Sequence, residues 1–469
     1  MADYLAPLMF VSLVLFLLFG YPVAFALAAN GLVFAIIGIQ QGLLTPELLS
    51  ALPSRIFGIM QNETLLAIPF FTFMGLIMER SGMAEELLDT IGQLFGPLRG
   101  GLAYAVIFVG ALLAATTGVV AASVIAMGLI SLPIMLRYGY DRRVATGVIA
   151  ASGTLAQIIP PSLVLIVLAD QLGQSVGAMY SGALIPGLAL VGFYVAYIMV
   201  LSLVRPQWVP ALPPEARTLR GTKLVKKSLL SLVPPLTLIF LVLGTIFLGI
   251  ATPTEGGAMG AVGALIVARF NKKLSLDVLR QSMESTLKLS SFVMFILIGS
   301  TVFALVFRAV NGDLWVEHWL TSLPGGQLGF LVAVNVLVFV LAFFLDFFEV
   351  AFILVPLLAP VAEKLGIDLV WFGVLLAVNM QTSFMHPPFG FALFYLRSVA
   401  AKNDYIDKVT GKLTARVTTG QIYWGAIPFI IIQLVMVGLI LAFPDIVSLE
   451  KKITTTDAPL QVDIPQDEF

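Results

Sequence analysis

Ten stretches of this chain carry no Asp, Glu, Lys or Arg: residues 4–46, 64–78, 100–136, 144–169, 171–204, 228–254, 289–307, 318–345, 369–396 and 417–444. A bilayer crossing needs about 20 apolar residues. Several runs are therefore long enough for two segments. Residues 4–46 must fold back around Gly20, Tyr21 and Pro22, and residues 100–136 must turn near 115–119. The runs are continuously apolar and lack the alternation of a membrane barrel, which predicts an all-α polytopic membrane protein of about ten to twelve crossings with re-entrant pieces. Residues 4–46 follow no basic segment and contain no convincing small-residue cleavage site, so they read as a retained helix pair, not a cleaved leader.

Composition narrows the function. Only 11% of residues are charged and 59% are hydrophobic, against about a quarter charged in soluble proteins. The 26 basic and 27 acidic residues nearly cancel, which argues against a nucleic-acid partner. Without cysteine there is no disulfide framework and no thiolate chemistry, and two histidines, His318 and His386, are too few for a His-built metal centre. No cofactor and no enzyme activity are expected.

The longest hydrophilic interior loop, residues 205–227, sets Arg205, Arg217, Arg220, Lys223, Lys226 and Lys227 against Glu215 alone, which places it on the cytoplasmic side. It also bisects the chain. A gapless shift of 227 residues puts Pro133 on Pro360, Gly139 on Gly366, Asp141 on Asp368, Ala150 on Ala377, and Pro160 and Pro161 on Pro387 and Pro388. These matches fall on helix-breaking and turn-forming residues. Weaker echoes follow: Gly82 and Gly312 each precede a mixed polar segment suited to the interface, and Pro22 and Pro253 each open a small-residue helix. The predicted organisation is a first repeat, residues 1–204, with a hairpin at about 100–136 and a broken helix at about 144–169; a basic linker, 205–227; a second repeat, 228–443, with a hairpin at about 325–362 and a broken helix at about 369–396; and an acidic tail, 444–469, read as solvated. Small-residue segments such as 256–268 suit close helix packing, and a stable contact with a partner membrane subunit is expected, on a face the sequence does not specify.

Each proline pair follows small polar residues inside an apolar run: Ser152, Thr154 and Gln157 before Pro160 and Pro161, and Asn379, Gln381, Thr382 and Ser383 before Pro387 and Pro388. Two successive prolines remove two backbone donors, so no continuous helix forms, and the freed carbonyls each cost several kcal/mol in lipid unless partnered. A hard cation such as sodium takes oxygen ligands, and the carbonyls with Ser152, Thr154, Thr382 and Ser383 offer them. The helix that restarts after each pair points its positive end at the gap and favours an anion. The plainer reading is a pair of kinked helices packed on neighbours; the duplication at equivalent positions favours the ion site.

Asp346 and Glu349 lie among apolar residues at a second hairpin tip, matching the small-residue break at 114–118. Intramembrane carboxylates are expensive and commonly functional. Asp346 completing a cation site or carrying a proton stands beside the plainer reading, in which the pair reaches the interface or meets a base such as Arg308. His386, next to a break, either protonates, binds a substrate carboxylate or caps the restarted helix.

Residues 53–60 (PSRIFGIM), 65–71 (LLAIPFF), 74–82 (MGLIMERSG), 152–155 (SGTL), 158–162 (IIPPS) and 252–257 (TPTEGG) together resemble the large membrane subunit of the tripartite ATP-independent periplasmic (TRAP) transporters, in order and over nearly the whole chain to about Phe443. The subgroup most similar is the one for mannitol, chloroaromatic and 2-oxo acid uptake. The resemblance implies an elevator-type fold of two inverted repeats with re-entrant hairpins and broken helices in a bacterial inner membrane. It implies sodium-coupled import of a small organic acid delivered by a periplasmic binding protein, with a small four-helix membrane subunit as partner. By motif it puts one sodium site at Thr116, Thr117 and Gly118 with Ser152, Gly153 and Thr154, and another at Asp346 with Asn379, Gln381 and Thr382. The substrate carboxylate falls between the tips, near Thr154, Gln157, Ser383 and His386. The alternative is a proton-coupled organic anion transporter with Asp346, Glu349 or His386 as carrier. A channel lacks its continuous polar path, and the aspartate pair of an intramembrane protease is not supplied by Asp141 and Asp368, which sit beside turn residues.

Overall fold

The computed structural model describes residues 2–407 and 409–447. Among them the chain is almost wholly helical. The first half holds α1 (Ala2–Leu18), α2 (Val23–Gln40), α3 (Leu52–Met60), α4 (Ala67–Arg80), α5 (Met83–Phe95), α6 (Gly101–Thr117), α7 (Val120–Arg137), α8 (Arg142–Thr154), α9 (Leu163–Gln171) and α10 (Val176–Val204). The second holds α11 (Gly221–Phe247), α12 (Pro253–Phe270), α13 (Leu276–Ala309), α14 (Gly312–Thr321), α15 (Gly326–Leu341), α16 (Phe347–Ile353), α17 (Val355–Lys364), α18 (Leu369–Ser383), α19 (Phe391–Val399) and α20 (Thr419–Ala442). A two-residue-per-strand hairpin, β1 (Tyr405–Ile406) with β2 (Leu413–Thr414), joins α19 to α20.

The repeat is written in helix ends. Asp141 caps α8 by accepting from Arg143 N at 2.8 Å, and Asp368 caps α18 by accepting from Trp371 N at 2.9 Å. Just upstream, Gly139 and Gly366 take φ of +84° and +72°, a left-handed turn that suits glycine. α2 and α12 each open at a proline and run 18 residues. The halves interdigitate: α2 packs on α13, and α12 packs on α4. This close approach consumes the small residues. A Cβ on Gly31 would meet Val302 O at 3.0 Å, and Cβ atoms on Gly257 and Gly260 would run into Phe70 and Met74. The Gly256, Gly257 and Gly260 face of α12 is therefore buried inside the chain, while Met259, Val262 and Ile266 of the same helix are exposed.

Six helices among the described residues are long and apolar enough to cross a membrane, or seven if α14 and α15, bent by 117°, form one span. That is fewer unbroken spans than the ten to twelve expected, because breaks divide the remaining apolar runs into short helices such as α6 and α18. The bend also lets α14 run across the direction of α15, as expected for an interfacial segment. α5 buries Met83, Leu87, Leu88 and Ile91, one stripe at helical spacing. The basic linker is docked rather than free. Trp208 lies under the guanidinium groups of Arg143 and Arg205 at 4.9 and 5.3 Å, and its carbonyl accepts from Asp141 N at 3.0 Å. Most of the acidic tail, from residue 448 onward, lies outside the described residues.

Candidate functional site

Both proline pairs break their helices where expected. α8 ends at Thr154, tightens into a 3-10 turn at Leu155–Gln157, passes the cis-linked Pro160 and Pro161, and restarts as α9 at Leu163. α18 ends at Ser383, passes the cis-linked Pro387 and Pro388, and restarts as α19 at Phe391. Inside the first break Ser162 Oγ donates to Gln157 O at 2.7 Å.

The two broken helices meet just ahead of their breaks. Gln381 Nε2 donates to Thr154 Oγ1 at 3.3 Å, and both residues are fully buried. Their separation of 227 residues is the repeat shift itself. A residue that touches its own repeat equivalent lies at the pseudo-symmetry axis relating the halves, so this contact marks that axis. Thr154 Oγ1 also donates to Ala151 O at 2.9 Å.

The first hairpin tip abuts the first break. Thr116 Oγ1 and Thr117 Oγ1 donate to Leu113 O at 3.0 and 2.9 Å, Thr117 Oγ1 lies 2.9 Å from Ser123 Oγ, and Gly118 ends α6 at φ +59°. A Cβ on Gly118 would lie 3.4 Å from Leu163 N and 3.5 Å from Pro161 O. One turn pair back, a Cβ on Gly110 would lie 2.5 Å from Ser152 Cβ, and Gly153 is pressed against Val124 of α7. Thr116, Thr117 and Gly118 are thus brought against the same broken helix as Ser152, Gly153 and Thr154.

The residues grouped at the second tip are divided. Asn379 Nδ2 donates to Asn335 O at 2.7 Å and to Asn335 Oδ1 at 3.0 Å, Thr382 Oγ1 donates to Val378 O at 3.1 Å, and Ser383 Oγ donates to Phe339 O at 3.4 Å, all toward α15 or within α18. Asp346 caps α16 instead. Its Oδ1 accepts from Phe347 N at 2.7 Å, while Glu349 Oε2 accepts from Asp346 N at 2.9 Å, a reciprocal capping box. Neither carboxylate is paired with Arg308 among the described ion pairs; the Asp-x-x-Glu spacing serves helix capping. Both line a cavity of about 660 Å³ with Tyr21, Lys288, Ser291 and Tyr395. Among the described residues no hydrogen bond joins Asp346 to Asn379, Gln381 or Thr382. His386 stacks near Phe343 and edges Phe339, at 4.7 and 5.3 Å, with its buried Nδ1 unpartnered.

Two site residues escaped sequence reasoning. Gln433 of α20 donates from Nε2 to Tyr194 OH of α10 at 2.8 Å and lies 3.4 Å from Thr154 Oγ1. The signal existed: Gln433 is the lone polar side chain between Pro428 and Phe443. Tyr194 gave none, because its partner is distant in sequence.

The chain matches the family model described as "Tripartite ATP-independent periplasmic transporter, DctM component" over residues 10–446. It is 32% identical over 358 residues to the C4-dicarboxylate TRAP transporter large permease protein DctM of Pseudomonas aeruginosa, covering 76% of this chain and 82% of that protein. It is 30% identical over 418 residues to the isethionate TRAP transporter permease protein DctMQ of Oleidesulfovibrio alaskensis, covering 88% of this chain and 64% of that protein. Its fold is similar to that of the YdaH transporter of Alcanivorax borkumensis, with a TM-score of 0.59 over 86% of this chain and 90% of that one at 16% identity.

Proposed function

The chain belongs to the DctM family of TRAP transporter large permeases, a multi-pass membrane transport subunit and not an enzyme, and from that premise we propose that it imports a small organic acid together with sodium. The relatives named for C4-dicarboxylate and isethionate support a small organic anion as cargo. A periplasmic binding protein delivers it, a small membrane subunit completes the permease, and the assembly sits in the bacterial inner membrane. The single observation that carries this reading is the meeting of the two broken helices, just ahead of their breaks, at Thr154 and Gln381.

An anion entering a dry site loses its hydration, and a co-bound cation offsets that cost, so each ligand raises the affinity for the other. The hydroxyls and carbonyls of residues 116–118 and 152–154 are oxygen donors suited to sodium, whereas among the described residues no cluster of His, Asp and Glu suits a multivalent ion. The restarted helices α9 and α19 turn their positive ends toward the breaks, where Thr154, Gln157, Ser383 and His386 would receive the carboxylate. The hairpins and broken helices move as one body past the interdigitated α2, α4, α12 and α13, an elevator motion. With two sodium ions per monoanion, the membrane potential adds about 2.3 kcal/mol per net charge per 100 mV.

Proton coupling is the second reading, favoured by Asp346 and Glu349 facing the large cavity. Purified permease reconstituted with its small subunit and binding protein decides between them. Uptake should collapse when choline replaces sodium at fixed pH; uptake unchanged in choline and driven by an imposed proton gradient would put the proton in sodium's place.

A further inference from the structure

We infer that Gln433, held by Tyr194, is a positioning residue that sets cation affinity at Thr154 and makes the two breaks respond as one unit. The inference rests on the cation-coupled reading above. A primary amide buried in an otherwise apolar helix carries a desolvation cost that only its contacts offset. The contacts of Gln433 span four elements. From α20, its Nε2 donates to Tyr194 OH on α10 at 2.8 Å, approaches Thr154 Oγ1 at the end of α8 at 3.4 Å, and lies 3.7 Å from Met385 Sδ in the second break. The reach is built in two turns earlier, where Gly147 of α8 and Gly425 of α20 touch backbone to backbone and exclude any Cβ.

The surrounding polar groups do not satisfy one another. Gln433 Oε1, Gln381 Oε1, both ends of the Gln157 amide and Ser152 Oγ are buried without a hydrogen-bond partner. The oxygens among them call for a donor, a water or a cation, and Gln157 Nε2 for an acceptor. Thr154 Oγ1 spends its proton on Ala151 O and accepts from two amide nitrogens, Gln381 on one side and Gln433 on the other, so the oxygens left there for a cation are the oriented Oε1 atoms of those two amides.

Repeat symmetry makes the brace one-sided. Ser175 caps α10 and Thr418 caps α20; aligned on these caps, Gln433 corresponds to Leu190 and Tyr194 to Val437. Only one of the two breaks carries the amide, so the two cation sites are unequal.

The test measures sodium-dependent thermal stabilisation of the purified full-length protein, with choline holding ionic strength constant, alongside sodium-dependent uptake. Cation binding to the folded state raises the unfolding temperature by mass action. Gln433→Leu, which installs the first repeat's residue, should raise the sodium midpoint at least about five-fold and flatten the sodium dependence of uptake, with little change in unfolding temperature in choline. Tyr194→Phe, which keeps the ring edge-on to Phe429 at 5.1 Å, should shift the midpoint in the same direction. If Gln433→Leu does not fold, Tyr194→Phe decides. Sodium midpoints equal to wild type, or a lower unfolding temperature in choline with no midpoint shift, would reduce the pair to packing and overturn the inference. No sodium effect on the wild-type protein would overturn the coupling reading itself, and this inference with it.

Discussion

Asn62 donates to Asp170 at 2.6 Å, tying the turn before α4 to the last turn of α9 across 108 residues of sequence. The same Asn62 fixes its own turn by accepting from Thr64 N at 3.0 Å and Leu65 N at 3.3 Å. Asp170 belongs to the restarted helix of the first break, and Asn62 to the frame around it. By the 227-residue shift the matching positions of the second repeat are Leu289 and Arg397, which cannot form the same pair.

If the broken helices move against the frame, the Asn62 to Asp170 tie must open in each cycle. The chain contains no cysteine, so a double variant, Asn62→Cys with Asp170→Cys, brings the only two thiols. Oxidation should cross-link them and reduce uptake to background, and a reductant should restore it. Full-rate uptake by the cross-linked protein would show that these two points never separate.

Asp346 can be separated into cap and charge. Asp346→Asn keeps a good capping side chain and removes the carboxylate, whereas Asp346→Ala also loses the cap, at about 1 kcal/mol. The Asn variant should unfold close to wild type in a thermal melt and yet lose uptake by at least about ten-fold. Wild-type uptake and unaltered cation dependence in Asp346→Asn would confine this residue to ending a helix.

The first hairpin tip rests on Gly75. A Cβ there would strike the Thr117 backbone and come within 2.8 Å of Thr116 O. Gly75→Ala should displace the tip, destabilise the protein by about 1–3 kcal/mol and lower sodium-dependent uptake. Gly58→Ala, where nothing lies within 4 Å, is the matched control and should leave both unchanged or slightly improve stability. Equal behaviour of the two variants would remove the tip from the site.

Outside the membrane, Asp407 accepts from the backbone of Thr410 and Val409 and from Arg137 Nε at 2.9 Å, which anchors the α19 to α20 hairpin to the end of α7. The backbone donors of Thr410, with Arg137, hold its carboxyl down at about 2. A lowered carboxylate stabilises the fold above its unfolded value of about 3.9 and loses that contribution as pH falls toward 2. Thermal melts from pH 6 to pH 2 should therefore show a wild-type decline across that window that is shallower in Asp407→Asn. Parallel curves would exclude Asp407 from the acid sensitivity.

How much was legible in sequence follows the chemistry of each signal. Pro160, Pro161, Pro387 and Pro388 forbid a continuous helix whatever surrounds them, so the breaks and their 227-residue spacing could be read directly. Asp141 and Asp368 declared themselves by sitting two residues after a turn glycine. Asp346 and Glu349 were legible as a pair but ambiguous in role, because the spacing that suits a cation also suits a capping box. Gln433, Tyr194 and the stacking of Arg143 on Trp208 depend on partners tens to hundreds of residues away. Only the packing of α20 against α8 brings an amide to a hydroxyl there, and no local pattern encodes that meeting.

The contact between Thr154 and its own counterpart Gln381 carries a consequence for how such a chain diverges. Away from the axis a change in one half leaves the surroundings of the other untouched. On the axis, ancestral twins are each other's environment, so a change in one is at once a change in the surroundings of the other. A hydroxyl faces an amide there, and replacing either member singly would leave its twin facing a neighbour it no longer fits.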